Sequence, residues 1–112
     1  MSVLAAETSV TLDVAPLVAT WLNTNAASRG VAVYEIVRDG DSVTVNGAPA
    51  SVFALETADR TAQAFSARLD LGDTIAELQA NIKGGVLVVA SFHTRPDGSG
   101  YFHREFYFRS AR

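Results

Sequence analysis

The chain has no cysteine, so its 112 residues cannot build a disulfide framework, a thiolate metal site or a cysteine nucleophile. Charge is also scarce: 19% of residues are Asp, Glu, Lys or Arg, and the formal charge is −3. A pI near 5.2 speaks against general nucleic-acid binding, which rests on Lys and Arg neutralising phosphates. No apolar run approaches the roughly 20 residues that cross a bilayer, so no membrane partner is expected. The opening Met1-Ser2-Val3-Leu4-Ala5-Ala6-Glu7 has neither a basic start nor a long apolar segment. No signal peptide is expected there, and synthesis in the cytoplasm is.

What the chain has is apolar content, 48% of residues, enough for one modest core in one domain. Residues 1–8 carry no pattern and read as an N-terminal arm. Residues 9–112 read as a single β-rich domain of two similar halves, 9–56 and 66–112, joined by a linker over 57–64. In the first half, Ser9-Val10-Thr11-Leu12-Asp13-Val14 alternates as a half-buried strand does. Pro16 then suits a helix first turn, and Leu17, Val18, Trp21 and Leu22 would share one helical face. In the second half, Ser66 to Leu71 leads to Thr74-x-x-Glu77, a capping-box pattern. Ile75, Leu78 and Ile82 would form that helix's apolar stripe, with Gly84-Gly85 ending it. The offset is 57 residues from Ser9 to Ser66 and 55 from Gly30 to Gly85. A tandem β-α-β-β duplication fits this, and so do two strand–helix–strand stretches alike by chance. The fold class expected is mainly β with two short helices, a β-sandwich of jelly-roll type.

Hairpin signals follow each expected helix. Val31 to Val37 runs into Asp39-Gly40, Ser42 to Val45 returns, and Asn46-Gly47 turns again before Val52 to Leu55. Val86 to Arg95 and Tyr101 to Ser110 flank a turn around Gly98. Taken as symmetric about Gly98, that turn sets His93 opposite His103 and Arg95 opposite Tyr101. Alternation then sorts the hairpin into two faces. Val86, Val88, Ala90, Phe92, Phe102, Phe106 and Phe108 share one, which reads as core. His93, Arg95, Tyr101, His103, Glu105 and Tyr107 share the other with Ser91. Those six make the candidate binding surface, since Tyr and Arg concentrate in contact sites.

Residue patterns that would carry chemistry are sparse. Ser91 and His93 share a strand face, but no nucleophile elbow or oxyanion loop accompanies them. Gly98-Ser99-Gly100 sits in a hairpin, not between strand and helix. The acids Asp13, Glu35, Glu56, Asp70 and Glu77 are scattered. Two histidines with Glu105 are too few and too loosely placed for a zinc site. No enzyme activity, cofactor or metal is expected.

Two segments resemble the C-terminal part of the DNRLRE-type domains, a jelly-roll-like group related to carbohydrate-binding modules. They are Leu12-Asp13-Val14 through Trp21-Leu22-Asn23 with Gly30-Val31-Ala32-Val33, and Val52 to Asp59 with Ala67-Arg68-Leu69-Asp70-Leu71. The family's naming signature is absent, and Phe65-Ser66 stands where an Arg-Pro pair is usual. The resemblance implies a sandwich-like adhesive or structural module and carries over no ligand-binding residue.

The expected function is therefore non-enzymatic: a structural module working through protein–protein contacts, as a homo-oligomer or in a larger assembly. A phage-like virion component (capsid decoration, head-spike or tail-fibre protein) matches the apolar, cysteine-free, leaderless sequence, and the virion is then its location. The alternative is a carbohydrate-binding module recognising surface polysaccharide.

Overall fold

The computed structural model describes residues 12–55 and 60–111. The expected arm over 1–8, the start of the first expected strand, residues 57–59 of the linker, residues 56–59 of the family resemblance, and Arg112 lie outside that range. The described residues form eight strands: β1 (Ala19–Asn23), β2 (Val33–Asp39), β3 (Ser42–Val45), β4 (Ala48–Ala54), β5 (Ala62–Asp70), β6 (Ile75–Lys83), β7 (Val86–Thr94) and β8 (Gly100–Arg109). Each pairs antiparallel with the next, and β8 returns to β1, so the sheet closes into an up-and-down barrel.

This corrects the expected class. There is no sandwich of jelly-roll type and no helix among the described residues, so the β-α-β-β unit is not formed either. Over the first expected helix, Leu17 and Val18 donate backbone N–H groups to the Val14 carbonyl, making a single turn. The chain then extends, and Trp21 faces the barrel interior beside Tyr34. Over the second, β6 pairs with β7 along its whole length and with β5 from Ile75 to Asn81. Ala, Glu, Leu, Gln and Lys favour helix locally, but propensity is a weak prior against two hydrogen-bonded neighbours. The true period there is two: Ala76, Leu78 and Ala80 are buried while Glu77, Gln79 and Asn81 are exposed. Gly84 and Gly85, at φ +61° and +81°, form the two-residue hairpin turn from β6 to β7 instead of a helix cap.

The interior is filled by complementary sizes. Across β5 and β6, Phe65 faces Ala80, Ala67 faces Leu78, and Leu69 faces Ala76. Small barrels fill their taper this way, a large side chain claiming the space its small partner leaves. One end is plugged by the turn before β1. Val14 and Leu17 are buried there, the Trp21 Nε1 donates to the Leu17 carbonyl at 2.9 Å, and Asp13 bridges to Thr61 beside β5. The other end, where the β1–β2, β5–β6 and β7–β8 connections meet, is open.

Candidate functional site

The β7–β8 hairpin carries the features singled out in the sequence, but with its faces inverted. The two groupings by alternation hold. The Phe group, expected as core, points outward: Phe102 is 54% exposed, Phe106 and Phe108 46%, and Phe92 42%. The polar and Tyr group points into the barrel. The register also differs from the expected one: His93 pairs with Tyr101 and Ser91 with His103. The cause is the turn, in which Arg95 donates its N–H to Ser99 O and Gly98 donates to Arg95 O, centring the hairpin on Asp97. Asp97 stabilises this turn by accepting from both the N–H and the hydroxyl of Ser99, and those bonds hold its carboxyl below the usual carboxylate range.

Along the inward face the pairs grade from apolar to polar: Leu87 with Tyr107, Val89 with Glu105, Ser91 with His103, His93 with Tyr101. At the deep end Tyr107 is buried and its hydroxyl donates to Val31 O at 2.6 Å. Its ring lies 4.8 Å from that of Tyr34. Burial pushes the Tyr107 hydroxyl up to about 12 and that of Tyr34 higher still, so both remain protonated donors. Glu105, one step up, accepts from the Asn23 amide at 3.2 Å and from the Ser28 hydroxyl, and its other neighbour is His103 at 3.7 Å. Ser28 also accepts from the Gly30 N–H at 2.9 Å, so the carboxylate anchors the β1–β2 loop over the barrel rim. Gly30 packs so close that a Cβ there would collide with the Glu105 carboxylate.

Above Glu105 sits an aromatic and cationic stack. His93 is 4% exposed, and its ring lies flat on Tyr101, centroids 4.5 Å apart and planes 4° apart. Arg95 lies over the same Tyr101 ring at 4.9 Å, within cation–π range. The His93 Nε2 meets the Ser91 hydroxyl at 2.6 Å, and Nδ1 meets Thr74 Oγ1 at 3.4 Å. Either ring tautomer is served, because a hydroxyl both donates and accepts. Burial first, and the neighbouring His103 second, lower the His93 pKa, so the ring is neutral at neutral pH. Ser91 is only 2% exposed, beneath His93. Its hydroxyl fixes the ring from inside and is not presented to the mouth as a nucleophile.

Five of the six candidate residues, His93, Arg95, Tyr101, His103 and Glu105, line one open cavity of about 750 Å³ at the barrel mouth. Tyr107 lies below it. Arg104 of β8 and the loop residues Ser28 to Val31, Leu71, Asp73 and Thr74 complete the wall. None of these loop residues was singled out as a site residue, because that role depends on which connections share one end of the barrel. Among the described residues no group of three or more His, Asp or Glu side chains is arranged to hold a metal ion. Comparison with family models, with curated proteins and with solved structures brought up no match.

Proposed function

We propose that the protein is a non-enzymatic assembly module whose outer phenylalanine face packs against a second copy of the chain. The observation that carries this reading is the placement of phenylalanine. Of six in the chain, Phe53, Phe92, Phe102, Phe106 and Phe108 stand outside, each more than two-fifths exposed. Four of them fall on one hairpin. Phe92 and Phe102 pair across the strands at 4.9 Å, and Phe106 and Phe108 continue the row beside Val88 and Val86. Leu22 and Val33 extend it over β1 and β2. Contiguous exposed apolar surface of this kind marks a contact site.

The geometry narrows the kind of contact. A closed barrel offers no free strand edge, so association has to use side chains across a face. The stripe is confined to one sector, because the outward side of β6 carries Glu77, Gln79, Asn81 and Lys83. That pattern suits a partner covering one side and differs from a lipid-facing belt, which is apolar all round. Arg104 is the one charged residue within the Phe row, so the face carries little charge pattern to select a foreign partner. An apolar patch is self-complementary, which is what a two-fold interface between identical subunits requires. A phage-like particle is a setting in which neighbouring subunits would keep such a face covered.

Sedimentation velocity across a concentration series tests this. The protein should sediment as at least a dimer of its 11.9 kDa chain. Phe102→Ser with Phe106→Ser should return it to monomer while preserving its circular dichroism, since exposed positions tolerate such changes. A wild-type monomer at every concentration would sink the proposal.

A further inference from the structure

The mouth cavity shares only Arg104 with the outer Phe row, and it has the composition of a binding site. We propose that it takes a small, uncharged, hydroxyl-rich ligand of mono- to disaccharide size. The volume of about 750 Å³ lies within the range of small-molecule pockets. The floor is already organised: His93 is locked by Ser91 and Thr74, Glu105 by Asn23 and Ser28, and Tyr101 is stacked on His93. A ligand entering here meets side chains whose conformational freedom is already spent, which reduces the ordering cost of binding.

The class of ligand follows from the mix of groups. Arg29, Arg95 and Arg104 offer donors, and none of the three makes an ion pair among the described residues. Asp73 and Glu105 offer acceptors in the same wall. An anion would approach two carboxylates and a cation three guanidinium groups, so a charged ligand of either sign meets like charge in the wall. A hydroxyl both donates and accepts, and can use both sets of groups. Apolar surface lies beside them: Tyr101 is 43% exposed, and Leu71 and Val31 line the lip. A compound with C–H faces and a rim of hydroxyls meets all three requirements.

Saturation-transfer NMR on the full chain tests this, using glucose, galactose, mannose, N-acetylglucosamine and maltose as probes, with acetate and phosphate as anionic controls. At least one sugar should show transfer, with affinity reduced about tenfold or more in Arg95→Ala and in Tyr101→Ala. Arg95 is exposed, so its variant remains informative if the Tyr101 change disturbs the fold. The Phe102→Ser, Phe106→Ser protein should bind like wild type, which separates this site from the assembly face. The proposal is overturned if no sugar binds, if only the anions bind, or if sugar binding is unchanged in Arg95→Ala.

Discussion

Trp21 and Arg109 face each other across the seam where the barrel closes, the guanidinium lying 5.2 Å from the indole ring centre. The same Arg109 donates to Pro16 O at 2.6 Å and to Val18 O at 3.4 Å. One side chain therefore ties the last strand to the first and to the plug beneath it. The seam is short, with Leu22–Phe108 and Asn23–Tyr107 its other pairs, so it has few interactions to spare. Trp21→Ala is expected to cost about 3–5 kcal/mol in urea unfolding, by loss of a fully buried indole. Trp21→Phe should cost less, on the order of 1–2 kcal/mol, mainly through the orphaned Leu17 carbonyl. An Arg109→Lys protein should lose stability too, since one ammonium cannot reach both carbonyls while covering the ring. Equal stability of all three variants and wild type would show that the seam is not where closure is held.

The size matching between β5 and β6 makes a second prediction. Ala80→Leu places a large side chain opposite Phe65 and should destabilise by about 1–3 kcal/mol. Phe65→Leu alone leaves a partial void. The double variant should recover part of both losses, because the two sites share one space, and a double-mutant cycle measures that coupling. A strictly additive pair would mean that the two side chains do not compete for volume.

That pair also shows why the strands were more legible than the fold. Asp39-Gly40 and Asn46-Gly47 announce their turns, and β3, β7 and β8 fall within a residue or so of where β-branched and aromatic runs place them. In β6 the inward set is Ala76, Leu78 and Ala80, and two of those three are alanines. A reading that counts only large apolar side chains sees Ile75, Leu78 and Ile82 and infers a helix. At the hairpin, alternation grouped the side chains correctly, yet period two is symmetric between inside and outside. The usual tie-breaker, that the more apolar face is buried, chose wrongly because Trp21, Tyr34 and Phe65 already fill the interior from other strands. The six candidate residues were legible as a group; that five of them line a cavity depended on closure of the barrel, which no local pattern carries.

His93 makes stability depend on acidity. Its folded-state pKa lies below the ordinary value of about 6.5. Above that pH the ring is neutral in both folded and unfolded chains and contributes no pH dependence. As pH falls below it, the unfolded chain takes up the proton first, so stability declines until the folded-state pKa is passed. His103, Glu105 and Asp73 act electrostatically on the same ring. The comparison is therefore between wild type and His93→Gln, which keeps a hydrogen-bonding group beside Ser91. Melting temperatures by circular dichroism should fall more steeply in wild type than in the variant from pH 6.5 downward. Parallel profiles would exclude His93 as the source.

Glu105 is the anchor of the β1–β2 loop, and Gly30 is the residue that lets the loop approach it. Removing the carboxylate leaves the Ser28 hydroxyl without its acceptor and the Asn23 amide with only Val31 O and the Tyr107 hydroxyl. Glu105→Ala should cost about 1–3 kcal/mol, the usual penalty for stranding partly buried polar groups. The loss should be local: amide exchange should accelerate across residues 24–32 while β5 and β6 keep their protection, because sub-global opening follows the interactions that close each segment. Gly30→Ala reaches the same loop from the other side. Its added methyl meets the Glu105 carboxylate, which is held on the far side by Asn23 and has little room to withdraw. The two single changes should therefore loosen the same amides. Adding Gly30→Ala to Glu105→Ala should cost less than it does in wild type, because the obstructing carboxylate is gone. If Gly30→Ala is equally harmful in both backgrounds, the loop is held by something other than this contact.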